Sequence, residues 1–182
     1  MKLLISFSIT LFSTILSSSV TFLLARSLPV EELGQFARFQ SFVIIFAVFL
    51  NLGSGQYLAS IISSNLYKLT ESKILKEVYS ARVYKITAFI FSLLLIIVCK
   101  GFFKISSEIF IILLLISSCA LLRALSTEIG YINIGLRKPI LGQIIKTLLA
   151  PLALTSLLVS SIFIKADLTY FGACILFFIS LL

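Results

Sequence analysis

Histidine is absent from this chain, which removes the commonest proton shuttle and metal ligand. Acidic residues number only seven, against fifteen lysines and arginines. Two of the seven, Glu31 and Glu32, are neighbours and read as the acidic start of a turn or helix. Hydrolysis by a nucleophile and base, or by paired carboxylates, therefore lacks its components. Gly53-Ser-Gly55 has no strand-to-helix setting and is a poor phosphate cradle. Cys99, Cys119 and Cys174 lie in separate apolar stretches without paired spacing, so they read as small packing residues. These absences argue against an enzyme and call for no metal and no cofactor.

Charge of either sign is scarce: charged residues make up 12% of the chain and hydrophobic ones 60%. A helix of about 20 residues crosses the roughly 30 Å hydrocarbon layer. Apolar runs near that length occupy residues 3–25, 36–63, 83–103, 108–125 and 140–164, and a sixth at 168–182 stops with the chain. The core of the third run is short, but Tyr84, Phe102 and Phe103 extend it, with Lys85 and Lys100 placed to snorkel. The expectation is an all-α polytopic membrane helix bundle of about six transmembrane helices, forming a single transmembrane domain over residues 1–182. The first run is too long for a signal-peptide core and is followed by no A-x-A-like site, so it is expected to remain as a helix.

Residues 66–82 read differently. Ile74, Leu75, Val78 and Tyr79 share one side and Lys73, Lys76, Glu77 and Ser80 the other, the pattern of a helix lying on the inner leaflet. Arg82 and Lys85 break that pattern where the third membrane helix is expected to start.

Lysine and arginine set the orientation. Lys2, Lys68, Lys73, Lys76, Arg82, Lys85, Arg137 and Lys138 fall on one side, and Arg26, Arg38, Lys100, Lys104 and Lys165 on the other. The richer side faces the cytoplasm, which places the N-terminus there. This spread over membrane flanks also accounts for the net charge of +8 without any nucleic-acid partner.

Two cations remain, and both sit within apolar runs. Arg123 falls near the inner end of the fourth run, and Lys146 lies seven residues past Pro139, about 10 Å into the fifth. Ionised groups at such depth either snorkel to headgroups or line a pathway for polar cargo. Polar residues gather in stripes that fit the second reading. Ser6, Thr10, Ser13, Thr14, Ser17 and Thr21 share one face of the first helix, as a helix-packing surface, a wet lumen wall, or each at a different depth. Arg38, Gln56, Ser60 and Ser63 share a side of the second if it is continuous, although Asn51-Leu-Gly-Ser-Gly can loosen it. Arg38 sits near the outer boundary, where interfacial anchoring competes with a lumen role. Gly142, Gln143, Lys146, Ala150, Ala153 and Ser160 form a stripe on the fifth, with a kink expected at Pro151. Glu128 points about 140° away from Arg123 on a helix, so its expected partner is Lys146 across helices.

Leu-Leu-Ala-Arg-Ser-Leu-Pro-Val-Glu-Glu-Leu-Gly-Gln-Phe at residues 23–36 resembles the N-terminal region of polysaccharide exporters in the multidrug/oligosaccharidyl-lipid/polysaccharide exporter superfamily. There a first helix leads into a Leu-x-x-x-Glu-(Phe/Tyr/Leu)-Gly turn, matched by Leu28 to Gly34, and a second helix ends in a Leu-Gly element, matched by Leu52 and Gly53. A second match spans 129–154, with Gly-Leu-Arg-Lys-Pro at 135–139 before the fifth helix. The resemblance implies one half, the N-terminal one, of a two-lobed transporter. Its implied activity is flipping an O-antigen or similar repeat unit on isoprenoid pyrophosphate across the bacterial inner membrane. Its implied partners are that lipid-linked oligosaccharide, membrane lipids and other polysaccharide-assembly proteins. Arg123, Lys146 and Arg38 would meet the pyrophosphate, with Ser6, Thr10, Ser13, Thr14, Ser17, Gln56 and Gln143 hydrating the sugar. A cation-coupled drug exporter of the same superfamily is the first alternative, and would favour embedded carboxylates. A membrane-embedded polysaccharide polymerase is the second, and would display a large outer loop.

Overall fold

Pro29 lacks the N–H that a continuing helix needs, and the chain turns there. In the computed structural model, which describes residues 2–64, 71–103, 106–163 and 168–182, α1 (Lys2–Ser27) stops just before it. α2 (Val30–Asn51) starts just after it, with Glu31 and Glu32 in the first turn, where carboxylates suit the positive end of the helix dipole. The second helix therefore begins before residue 36, the start of the apolar run. It ends at Leu52 and Gly53, which both adopt left-handed angles, φ 35° and 77°. Glycine takes that conformation freely, whereas Leu52 is held there by its N–H bond to the Val48 carbonyl at 2.9 Å. α3 (Ser54–Ser64) starts afresh. The stretch expected as one helix over 36–63 is thus two, broken within the Asn51-Leu-Gly-Ser-Gly run.

α4 (Glu71–Phe103) is a single helix of 33 residues. The inner-leaflet helix expected at 66–82 is not a separate element: 66–70 lie outside the described residues, and the remainder runs unbroken into the membrane segment. Residues 71–100 hold no glycine or proline to end it, and Arg82 and Lys85 turn to a partner on the next helix instead of breaking out. Lys68, Lys104 and Lys165 of the charge tally also lie outside the described residues. α5 (Ser107–Gly135) is capped by Ser106, whose Oγ accepts the Ile109 N–H at 3.4 Å. It was expected to end near 125 but continues to Gly135 because Glu128 is buried against α4 rather than surfacing.

The last third is less regular. α6 (Pro139–Gln143) passes into a π-helical turn (Ile144–Leu148) and then α7 (Leu149–Phe163). α8 (Tyr170–Leu181) begins at a Thr169 cap, and the Glu32 carboxylate accepts the Tyr170 N–H at 2.6 Å, tying the start of α8 to the start of α2.

Every regular element among the described residues is helical. Among the described residues, five stretches are long and apolar enough to cross a membrane: Leu4–Ser27, Val30–Asn51, Lys73–Phe103, Ser107–Gly135 and Pro139–Ser161. α8 is apolar but shorter, at 12 residues. Phe7, Phe22, Phe91 and Leu94 are among many large apolar side chains more than half exposed, a surface that lipid covers and water would not tolerate. The chain is an all-α polytopic membrane helix bundle.

α5 runs through the middle, against α2, α3, α4, α6 and α8. Phe36 and Phe39 of α2 meet Phe177 of α8 edge-on at ring centroids 6.1 and 6.0 Å apart, above Cys119 and Cys174, both fully buried as packing residues. A small-residue seam, Ala47 with Ala120 and Ala124, seats α2 on α5. A close crossing joins α5 to α6. A Cβ on Gly130 would lie 2.8 Å from the Gly142 carbonyl, and one on Gly142 would strike the Gly130 carbonyl and come within 2.7 Å of the Ile134 side chain. Backbone is on both sides, so neither helix can yield by a rotamer change. Gly142→Val is expected to cost about 1–3 kcal/mol of stability. Thermal unfolding in detergent checks it, and a variant melting like the parent contradicts it.

Candidate functional site

A cavity of about 860 Å³ opens between α1, α2, α5, α7 and α8. That volume is within the range of small-ligand sites. Its polar wall comprises Ser17 and Thr21 from α1, Gln40 from α2, Arg123, Ser126 and Thr127 from α5, and Lys146 and Thr147 from the π turn. Leu24, Phe36, Leu154 and Phe177 supply apolar wall. Among the described residues, no aspartate or glutamate lines it.

Arg123 is deeper than the sequence indicated. Because α5 continues to Gly135, Arg123 stands twelve residues, about 18 Å, from the helix end, which places it mid-helix rather than at the inner boundary. No acid forms an ion pair with it among the described residues. A guanidinium at that depth is tolerated where it faces protein or a hydrated cavity.

The acid that was expected to neutralise Lys146 goes elsewhere. Glu128 is fully buried, its carboxylate bonded to the Lys85 ammonium, also fully buried, and to Arg82 Nε at 3.2 Å. Lys85 therefore does not snorkel. The reason is angular: five residues of helix carry Glu128 to the opposite side of α5 from Arg123, where it faces α4 and not α7. Lys146 instead donates to the Tyr131 hydroxyl at 2.8 Å and stands over that ring, 4.1 Å from its centroid.

The hydroxyl stripe of α1 divides by depth. Ser6 donates to the Gln143 side-chain oxygen, Gln143 donates to Thr10 Oγ1 at 2.8 Å, and Ser13 donates to the Thr147 carbonyl at 2.6 Å. These lock α1 to α6 and the π turn. Ser17 and Thr21, farther along, line the cavity, whereas Thr14 bonds back to the Thr10 carbonyl at 3.0 Å and is exposed. Gln56 belongs to α3, beside the Tyr131 hydroxyl, and not to the face of Arg38. Arg38 is exposed on α2 and does not line the cavity. The sequence reading missed Tyr131, Ser126, Thr127 and Gln40. No signal in the sequence singles out Tyr131, an aromatic residue late in α5 of an apolar chain.

The backbone here is irregular, and polar side chains complete it. Leu149 N–H bonds to the Ile144 carbonyl, five residues back, and Ser126 Oγ donates to the Ile145 carbonyl at 3.5 Å. Pro151 has no N–H for the Thr147 carbonyl four residues back, and Ser13 fills that place. The irregularity expected at Pro151 is therefore a π turn just before it, stabilised from α1.

Comparison with known protein families, with curated proteins and with solved structures gives no match.

Two substitutions follow from these pairings. Ser13→Ala is expected to lower stability by about 1–2 kcal/mol, and by clearly less in a Pro151→Ala background, where residue 151 regains its N–H. Equal losses in both backgrounds, measured by unfolding in detergent, would refute the compensation. Glu128→Ala strands the Lys85 charge and is expected to cost about 3–5 kcal/mol, while Lys85→Met with Glu128→Leu restores much of it. Membrane-inserted protein level and melting temperature report both, and a double variant as unstable as the single one contradicts the pairing.

Proposed function

We propose that this chain is the N-terminal half of a flippase that moves an oligosaccharide on isoprenoid pyrophosphate across a bacterial inner membrane. The observation that carries the reading is the charge of the cavity: Arg123 and Lys146 line it and, among the described residues, no acid does. Such a wall attracts an anionic group, and low dielectric strengthens that attraction. The hydroxyls of Ser17, Thr21 and Thr127, with the Gln40 amide, suit a sugar. The resemblance at Leu28–Gly34 and at 129–154 supplies the class of cargo. Transport proceeds by rocking of two lobes about the site. The lysine and arginine distribution supports a cytoplasmic N-terminus.

Export of cationic drugs is less well supported, because the acid nearest in sequence to Arg123, Glu128, is committed to Lys85 and Arg82 on α4. Arg123→Gln with Lys146→Gln, in a cell that depends on this protein for surface polysaccharide, is expected to abolish that polysaccharide. Protein level stays unchanged, and lipid-linked repeat units accumulate on the inner face. Normal polysaccharide in the double variant refutes the reading.

A further inference from the structure

Lys146 lines the cavity, but its ammonium is turned to Tyr131. The stem leaves the π turn across Gly130, where a Cβ would lie 2.9 Å from Lys146 Cβ. Only a glycine leaves room for that path. The ammonium then reaches the hydroxyl and ring face of Tyr131, a residue that does not line the cavity. The Tyr131 ring in turn fills the space over Gly55, where an added Cβ would strike Cδ2. Gly55 lies just past the left-handed pair Leu52 and Gly53 that separates α2 from α3. One cation of the cavity is thus held by a ring seated at a helix break, while the other, Arg123, has no ion-pair partner among the described residues.

Resting on the anionic-cargo reading above, we propose that Tyr131 is a holding post for Lys146. A phosphate-bearing ligand beside Arg123 draws the ammonium off Tyr131 and into the cavity, so Tyr131 sets the affinity without touching the ligand. Lysine suits this because its charge sits on a flexible four-carbon stem, and arginine's planar fork would not transfer as freely. The held state also keeps a wet polar partner on the ammonium while the cavity is empty.

The consequence has a sign that a merely structural role does not share. Ligand binding must break the Lys146–Tyr131 contact, so weakening the contact raises apparent affinity. In titrations of the purified chain with inorganic pyrophosphate, Tyr131→Phe, which keeps the ring but loses the hydroxyl, is expected to bind about threefold to tenfold tighter. In a Lys146→Gln background the same change is expected to do nothing. Unchanged or weaker binding in Tyr131→Phe, or an equal gain without Lys146, overturns the proposal. A second readout needs no ligand: acylation of Lys146 by an amine-reactive reagent, followed by peptide mass spectrometry, is expected to speed up in Tyr131→Phe. If pyrophosphate binds neither the parent nor any variant, the anionic-cargo reading fails. The acylation rate then decides the holding post alone, and an unchanged rate overturns it.

Discussion

The ion pair of Glu128 with Lys85 fixes the electrostatics of everything around it. Both groups are fully buried, and an ion stripped of water without a partner costs several kcal/mol. The pair makes α4 and α5 inseparable, and Arg82, half exposed, adds a second donor from the next turn. It also commits the acid closest in sequence to Arg123 to the far side of α5. That helix therefore divides charge: neutralised groups face α4, and an uncompensated guanidinium faces the cavity. Had Glu128 stood one residue earlier or later, its carboxylate would have swung about 100° and its partner would have changed. The cationic character of the cavity is thus a property of register along α5 as much as of composition.

A bundle in lipid must complete every backbone hydrogen bond internally. This chain breaks its helices at Leu52–Gly53 and loosens one at Ile144–Leu148, and both irregularities adjoin the polar region. Ser13 serves the Thr147 carbonyl, whose ladder position Pro151 leaves without a donor, and Ser126 adds a donor to the Ile145 carbonyl. Around the first break the accounts do not close as neatly. Asn51 Oδ1 and Ser54 Oγ are buried there without a hydrogen-bond partner. Irregular backbone is tolerated where protein or a hydrated cavity surrounds it; the π turn meets this through Lys146 and Thr147 on the cavity wall, whereas Leu52 is exposed away from that wall.

Much of this was legible in the amino acids. Apolar runs, the weak Asn51–Gly55 stretch and the α1 hydroxyl stripe all announce themselves through period, length and glycine. Partner choice did not. Glu128 was assigned to Lys146 because a list of charges at similar depth contains no angular information between helices, and Lys85 looked like a flank because it borders an apolar core. The same ambiguity split α4 in two: Arg82 and Lys85 end an amphipathic pattern, and only a buried acid opposite them lets the helix continue. Arg123 was placed too shallow for a related reason, since the end of α5 was inferred from polarity that Glu128 conceals by being paired. Tyr131 was invisible because an aromatic residue in an apolar chain carries no mark of its role.

Close packing and charge placement turn out to share residues. Gly130 and Gly142 let α5 and α6 touch backbone to backbone, and that contact brings the start of the π turn against α5. Gly130 then serves a second purpose, since the Lys146 stem passes over it. The π turn inserts an extra residue per turn locally and so shifts the angular position of Lys146 relative to α6. Gly142 and Lys146 nonetheless both bear on Gly130 of α5, the first through its carbonyl and the second through its Cβ. Glycine at the crossing, the widened turn after it and the serine that completes the Thr147 carbonyl therefore act as one device. Together they admit a long charged side chain into a helix interface otherwise too tight to hold it.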